Sequence, residues 1–477
     1  MVLSLPLSLP IPLSPIPSLP FPHRLLYKLN QNRGQPFLPP MRALLLLLLA
    51  TTAVFGQKTV RVAVEAPEQK GSSEFESFLN DDKLVKATAD DFVAQNSRFR
   101  FTSEKKDSAR VDGKRMYKND IPTFQSLPIV ESLIRFTPAG NELTMILYSV
   151  GDLGPINEDK FNGIVDNVTK ALTKAYGNPS APTAAASVIV RAKSLAWKCP
   201  AGSVRLEWSS TRADRARNIA YRAEFIRVVV GAPQTLATPS AAATRWNPAD
   251  QLRTNPEGDK WIATVPMVDQ GQKGYCAVAT GERVLRYFGK DADEHELAQA
   301  CQTEDGTSGA KFEEQMKRVA TRFGLRFQTY LSGGDEKMIN KILKDYTAAG
   351  KKKDGTPIPQ QLQQNPYLFY SALDALKPEQ LAAVRQADKI GIALLDRSVR
   401  ESIDRANPVI WAVHLGIIPE PDIPQAQGGH IRLIIGYNAK TAEILYSDSW
   451  GPKHELKRMK IADAWAETFG LYVMRPN

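Results

Sequence analysis

Cysteine is scarce in this chain of 477 residues, with only Cys199, Cys276 and Cys301 present. Three thiols are too few for a disulfide-stapled scaffold. No Cys-x-x-Cys pair occurs to hold zinc, and no glycine-rich phosphate loop is present. No apolar run reaches the roughly 18–20 residues that a membrane-spanning helix requires. Charge of one sign is weak: 61 Lys and Arg against 51 Asp and Glu give +10. Four of the positives, Arg24, Lys28, Arg33 and Arg42, fall in the first 56 residues, which contain no acid. The other basic residues are dispersed, whereas a nucleic-acid face needs clustered charge. With 43% hydrophobic and 23% charged residues, whole-chain disorder is excluded. We expect no cofactor, no metal, no nucleic acid and no membrane span.

The amino terminus reads as targeting sequence. Residues 1–40 alternate proline with leucine and serine, which suits neither a helix nor a sheet interior. Met41-Arg42, an apolar run from Ala43 to Phe55 and then Gly56-Gln57 form a basic start, a hydrophobic centre and a small residue at a cleavage point. As a helix that run is only about 20 Å long, against a hydrocarbon core of about 30 Å. The expected organisation is a Pro-rich extension at 1–40 outside the mature protein and a signal peptide at 41–56. The expected location is secreted or periplasmic. In that setting an odd number of cysteines leaves one unpaired.

Residues 57–233 read as a smaller α+β accessory domain. Strands are expected around the Pro138-Ala139-Gly140 turn, and over Ser187–Ala192, Ser203–Trp208 and Ala223–Val230. A helix is expected over Phe161–Tyr176, stopped by Gly177-Asn178-Pro179. Asp81-Asp82 and Asp90-Asp91 read as turn or cap residues. No catalytic constellation is visible here, which leaves binding, positioning or shielding. Residues 234–259, rich in Pro, Ala, Thr and Asn, read as a linker.

The chemistry begins in the segment 260–477. A loop with Gly271 and Gly274 leads into Cys276, after which Val278, Val284, Leu285 and Phe288 mark a helix. Cys276 therefore opens a helix, where unpaired N–H groups and the dipole favour the thiolate. Taken singly, such a cysteine is as readily a core residue. Gln270 stands six positions earlier, where its amide and the Cys276 N–H can serve a developing oxyanion. His430 follows Gly428-Gly429 and begins a strand that turns at Gly436-Tyr437-Asn438. The returning strand, Ile444–Tyr446, leads to Asp448. The open ends of such a hairpin face each other, which brings Asp448 near His430 to hold its tautomer. The other histidines are weaker candidates. His295 sits in an acidic, solvated helix start, His414 in an apolar strand that packs or lines a cleft, and His454 in a polar turn. Lys351-Lys352-Lys353 reads as a loop.

QGQKGYCAVA resembles the active-site loop of papain-like cysteine peptidases. GGHIRLIIGYN and SDSWG resemble their His strand and their Asn-Ser-Trp-Gly strand. Asp448 where papain proper has Asn, and Tyr275-Cys276-Ala277 without the Cys-Trp pair, point to the branch containing the bacteriocin-leader-processing peptidases. No transporter part is visible here. The resemblance covers about 260–477. It implies an α+β fold class, with a papain-like peptidase domain at the carboxyl terminus preceded by the accessory domain. It also implies a catalytic set of Cys276, His430, Asp448 and Gln270, with Trp450 shielding the His–Asp contact. The partner implied is a peptide or protein substrate; oligomeric state is left open. A Cys199–Cys301 bridge leaving Cys276 free would tie the two regions together. Two other readings keep the scaffold: a transglutaminase-like acyltransferase using the same triad, and an inactive papain-fold binding protein.

Overall fold

The computed structural model describes residues 74–112, 121–180, 183–184, 187, 189–213, 216, 220–232, 247–271, 274–301, 309–333, 336–353, 373 and 376–477. The expected extension and signal peptide lie outside these residues. In the N-terminal part, eight strands form one sheet: β1 (Arg100–Phe101), β2 (Ser108–Asp112), β3 (Glu131–Arg135), β4 (Glu142–Ser149), β5 (Thr183–Ala184), β6 (Lys193–Cys199), β7 (Gly202–Thr211) and β8 (Arg222–Gly231). Their spatial order is β1-β2-β3-β4-β8-β7-β6-β5, antiparallel throughout. The helix α1 (Ala89–Gln95) begins at Thr88, whose side chain accepts from the Asp91 N–H. Asp90 and Asp91 thus occupy its first turn, where acids complement the helix dipole.

The helix α2 (Glu158–Tyr176) buries Phe161, Val165, Val168 and Leu172 on one stripe. Each such side chain stabilises by roughly 1.5–3 kcal/mol when fully buried. Asn157 caps its start by accepting from the Lys160 N–H, and Gly177 ends it at φ +82°. The Ser187–Ala192 strand does not form. Ile189 and Val190 instead bury as irregular chain in the core of the C-terminal part. The strand runs over Lys193–Cys199, paired with β7 and burying Ser194 and Trp197.

The C-terminal part carries a second eight-stranded sheet. Its members are β9 (Leu252–Thr254), β10 (Asp259–Ile262), β11 (Leu325–Leu331), β12 (Val409–Leu415), β13 (Gly428–Asn438), β14 (Glu443–Ser447), β15 (Lys457–Lys460) and β16 (Thr468–Pro476). The main path is β9-β10-β13-β12-β16-β11, with β14 paired to β13 and β15. Within the stretch read as a linker, Leu252–Thr254 is thus a strand paired with β10. Gly436 lacks the Cβ that would overlap the β10 backbone at Lys260 and Trp261, so the strands can close there.

The helices of this part include α3 (Cys276–Tyr287), α4 (Glu294–Cys301), α5 (Gly309–Arg322), α6 (Glu336–Lys353), α7 (Pro378–Gln386), α8 (Lys389–Asp404) and α9 (Ile461–Glu467). Lys351-Lys352-Lys353 closes α6 instead of forming a loop. In α3 every residue from Ala277 to Leu285 is buried, and both α3 and α8 pack on β13. That helix starts at the half-buried Cys276, and the strand carries the buried His430.

The described residues fall within one compact unit. Three arginines of the N-terminal sheet reach residues of the C-terminal part, two of them in ion pairs. Arg135 lies 3.4 Å from Glu282 of α3. Arg227 lies 3.0 Å from Asp293 and 2.8 Å from Glu296, while also holding Glu207. Arg110 reaches the loop before α3. The three cysteines are all free thiols. Cys199 packs against the N-terminal core and Cys301 is buried in the C-terminal one, so the expected bridge does not form.

Candidate active site

Cys276 is the first residue of α3. The residue before it, Tyr275, gives no side-chain cap, and the first turn holds no acid. The helix start therefore presents its N–H groups and dipole to the thiol without a competing negative charge. One turn on, the Thr280 hydroxyl donates to the Ile431 carbonyl at 3.3 Å, tying α3 to the strand that carries His430.

His430 and Asp448 meet as the hairpin register implies. β13 pairs with β14 up to Leu433 opposite Ser447, so His430 and Asp448 continue past the open end. His430 Nε2 donates to Asp448 Oδ1 at 2.9 Å, with both side chains fully buried. The Trp450 ring stacks on the His430 ring, with centroids 4.3 Å apart and planes within 10°. That face of the imidazole is thereby closed to water. Nε2 is committed to Asp448, and Nδ1 is buried with no hydrogen-bond partner among the described residues, so it is the nitrogen left open to a proton exchange.

The electrostatics couple these groups. Burial alone would push the Cys276 thiol up, but the His430 imidazole outweighs it and the thiol is lowered. Smaller contributions come from the backbone N–H groups of Ile431 and Ala277. Burial opposes a charge on His430 too. The hydrogen bond to Asp448 and the influence of the Cys276 thiol override that and raise the imidazole to about 9. Asp448 is lowered despite its burial, chiefly by the Arg432 guanidinium and then by His430. The two shifts run in opposite directions, the thiol down and the imidazole up, as charges of opposite sign on the two groups would require.

Gln270 is buried and held at two points. Its backbone N–H donates to the Ser449 carbonyl at 2.9 Å, and its Oε1 accepts from the Ser449 hydroxyl at 2.7 Å.

Two arginines complete the site, and neither was anticipated. Arg432 is two residues beyond His430 and so on the same strand face. Its Nε donates to Asp448 Oδ1 at 3.0 Å, and its Nη1 lies 2.7 Å from Glu420 and 3.4 Å from Glu467. Arg283 is seven residues beyond Cys276, on the same helical face. It donates to the Asp448 carbonyl at 2.9 Å, the Ser447 hydroxyl at 2.6 Å and the Pro266 carbonyl at 2.8 Å. One side chain thus braces both the strand end that carries Asp448 and the approach to Gln270.

The remaining histidines lie elsewhere. His295 is buried, not solvated, because the N-terminal sheet covers the start of α4. Its ring packs 6.0 Å from Tyr275 and 6.5 Å from Phe225. Glu131, Glu294 and His295 bring ligand atoms within 4.8 Å of one another. The Arg110 guanidinium, 2.7 Å from Glu131, already supplies a cation there. His414 is buried near Phe469. His454 lies edge-on to the outer side of the Trp450 ring, at 5.5 Å.

Residues 262–472 match a family model described as the Peptidase_C39 like family. No curated protein matches the chain. Among solved structures, the peptidase domain of Streptococcus ComA, a bi-functional ABC transporter involved in quorum sensing, aligns at 13% identity and a TM-score of 0.23. The alignment covers 45% of this chain and 99% of that one. The family match falls on the C-terminal part, the segment whose motifs led us to expect a papain-like cysteine peptidase. No helix among the described residues is long and apolar enough to cross a membrane.

Proposed function

We propose that the protein hydrolyses peptide bonds through Cys276, His430, Asp448 and Gln270. The observation that carries this reading is the buried 2.9 Å contact between His430 Nε2 and Asp448 Oδ1, on an imidazole coupled to a thiol at a helix start. The Cys276 thiolate attacks the carbonyl carbon. The Gln270 amide and the Cys276 N–H receive the oxyanion. The His430 imidazolium gives its proton to the departing amine as the C–N bond breaks, leaving a thioester and a neutral imidazole. That imidazole takes a proton from water, whose oxygen attacks the thioester. Collapse releases the carboxylic acid and returns the thiolate–imidazolium pair. Asp448 holds the Nε2–H tautomer and balances the imidazolium throughout.

The test is digestion of a proteome-derived peptide library in H2(18)O, read by mass spectrometry. The expected result is fragments with one heavy oxygen on each new carboxyl terminus, absent with Cys276→Ala. Incorporation of an added amine in place of water assigns the protein to acyl transfer. Cleavage that survives Cys276→Ala removes the cysteine from the mechanism.

A further inference from the structure

The N-terminal sheet does not merely neighbour the peptidase domain. It grips the loop that joins Gln270 to Cys276. Arg110, in the middle of β2, donates through Nη1 to the Asp269 carbonyl, the peptide oxygen directly before Gln270. Its Nη2 lies 2.7 Å from Glu131 of β3, the neighbouring strand, and both side chains are buried. Gly271 has φ +65°, and a Cβ there would overlap the same guanidinium. The arginine therefore lies directly over the backbone on both sides of Gln270. At the other end of the loop, Gly151 has no Cβ to strike the Tyr275 hydroxyl, so the N-terminal part also packs closely against the residue before Cys276.

The opposite side of the loop belongs to the Asp448 strand end. Gln270 is bonded twice to Ser449, and the Asp269 carboxylate abuts Gly451 while accepting from the Gly271 N–H at 2.9 Å. The Asp269–Gly271 segment is thus pressed between Ser449–Gly451 on one side and Arg110 on the other. Among the described residues, Arg283 of α3 reaches the Pro266 carbonyl on the approach to the oxyanion amide, and Arg110 of the N-terminal sheet reaches the Asp269 carbonyl next to it.

Resting on the peptidase reading above, we infer that Arg110 is a positioning residue for the Gln270 oxyanion donor. The N-terminal sheet is then a working part of the enzyme and not a removable inhibitor. An oxyanion donor is effective only when it is fixed before charge develops, and a displacement of about 1 Å in such a group lowers the rate roughly 100-fold. Arg110 makes no contact with Cys276, His430 or Asp448, so its loss should weaken oxyanion binding and leave the thiolate intact.

The test compares full-length wild type with Arg110→Met/Glu131→Gln, which removes both members of the buried ion pair together. Arg110→Lys is run beside it; it keeps the charge against Glu131 but loses the planar fork that reaches Asp269. Three readouts are taken: kcat and KM on a cleaved peptide, Kd for an N-acetyl dipeptide aldehyde, and the rate of Cys276 alkylation by iodoacetamide. The aldehyde adduct places an oxyanion-like oxygen at Gln270, and its Kd is read as protection of Cys276 from alkylation. Alkylation itself develops no oxyanion. The expected result is a fall in kcat of about 10- to 100-fold with KM little changed, aldehyde Kd weakened in parallel, and alkylation within about twofold. Arg110→Lys should show the same pattern to a smaller extent. Unchanged or increased kcat with unchanged aldehyde Kd overturns the inference. So does alkylation that falls in step with kcat, because Arg110 would then support the Cys–His pair. A wild type that hydrolyses nothing contradicts the peptidase reading instead, while aldehyde protection still reports on Arg110.

Discussion

Replacing His430 with alanine should lower kcat/KM by about 10⁴-fold or more, with the variant still folded. In the proposed mechanism His430 has two duties. It protonates the leaving amine, and its interaction with the thiol, polar contact first and charge second, is the chief influence that brings Cys276 down against the upward push of burial. The wild-type pH dependence follows from the same pair. Activity requires the thiolate, so it rises through the lowered Cys276 pKa on the acid side. It requires the imidazolium proton, so it falls as pH passes the raised His430 value of about 9. The alanine variant should lose this bell, and its residual rate should rise with pH toward the alkaline range. Steady-state kinetics across pH 4–10 check this. Retention of a wild-type bell in His430→Ala would mean that other groups set it.

Replacing Arg432 with methionine should destabilise the fold by about 3–5 kcal/mol, read as a lowered denaturation midpoint in urea. The guanidinium is completely enclosed, with Asp448, Glu420 and Glu467 around it and the Trp411 and Tyr446 rings against it. Burial pushes Glu467 up to about 8, so it keeps its proton at neutral pH and the charge of Arg432 is answered by Asp448 and Glu420. Removing the cation leaves those carboxylates without their main compensation, while methionine fills most of the volume. The sign with pH follows from Asp448, whose folded pKa is depressed. Its stabilising contribution is present above the unfolded carboxylate value of about 3.9 and is lost as pH falls through the folded value. The deficit of the variant should therefore be greatest near neutrality and shrink at low pH. A midpoint change equivalent to less than about 1 kcal/mol at pH 7 would show that the carboxylates need no buried cation.

The parts of this arrangement that sequence makes visible are those of short range. A helix start is marked by Gly271, Gly274 and the apolar spacing after Cys276. The hairpin from His430 to Asp448 is marked by alternation and by the turn at Gly436-Tyr437-Asn438. Arg432 and Arg283 were in principle within reach, since two residues along a strand and seven along a helix return to the same face. What stayed hidden depends on the docking of the two sheets. The acidic start of α4 looks solvated until the N-terminal sheet covers it and buries His295 among Tyr275, Phe225 and Glu131. Arg110 is separated from Asp269 by 159 residues, and nothing local to either predicts that they touch. Ser187–Ala192 has the β-branched composition of a strand, yet tertiary packing draws Ile189 and Val190 into the C-terminal core, and Lys193–Cys199 forms the strand instead.

The proposed mechanism requires Cys276 to exist as a thiolate paired with the His430 imidazolium. The rate of Cys276 alkylation by iodoacetamide, followed by peptide mass spectrometry from pH 4 to 10 on the wild-type protein and His430→Ala, tests it most directly. The account predicts wild-type labelling that is already near its plateau at about pH 6–7, and a His430→Ala profile displaced to the alkaline side by two units or more. A single rise near pH 8.5, the same with and without His430, would contradict it.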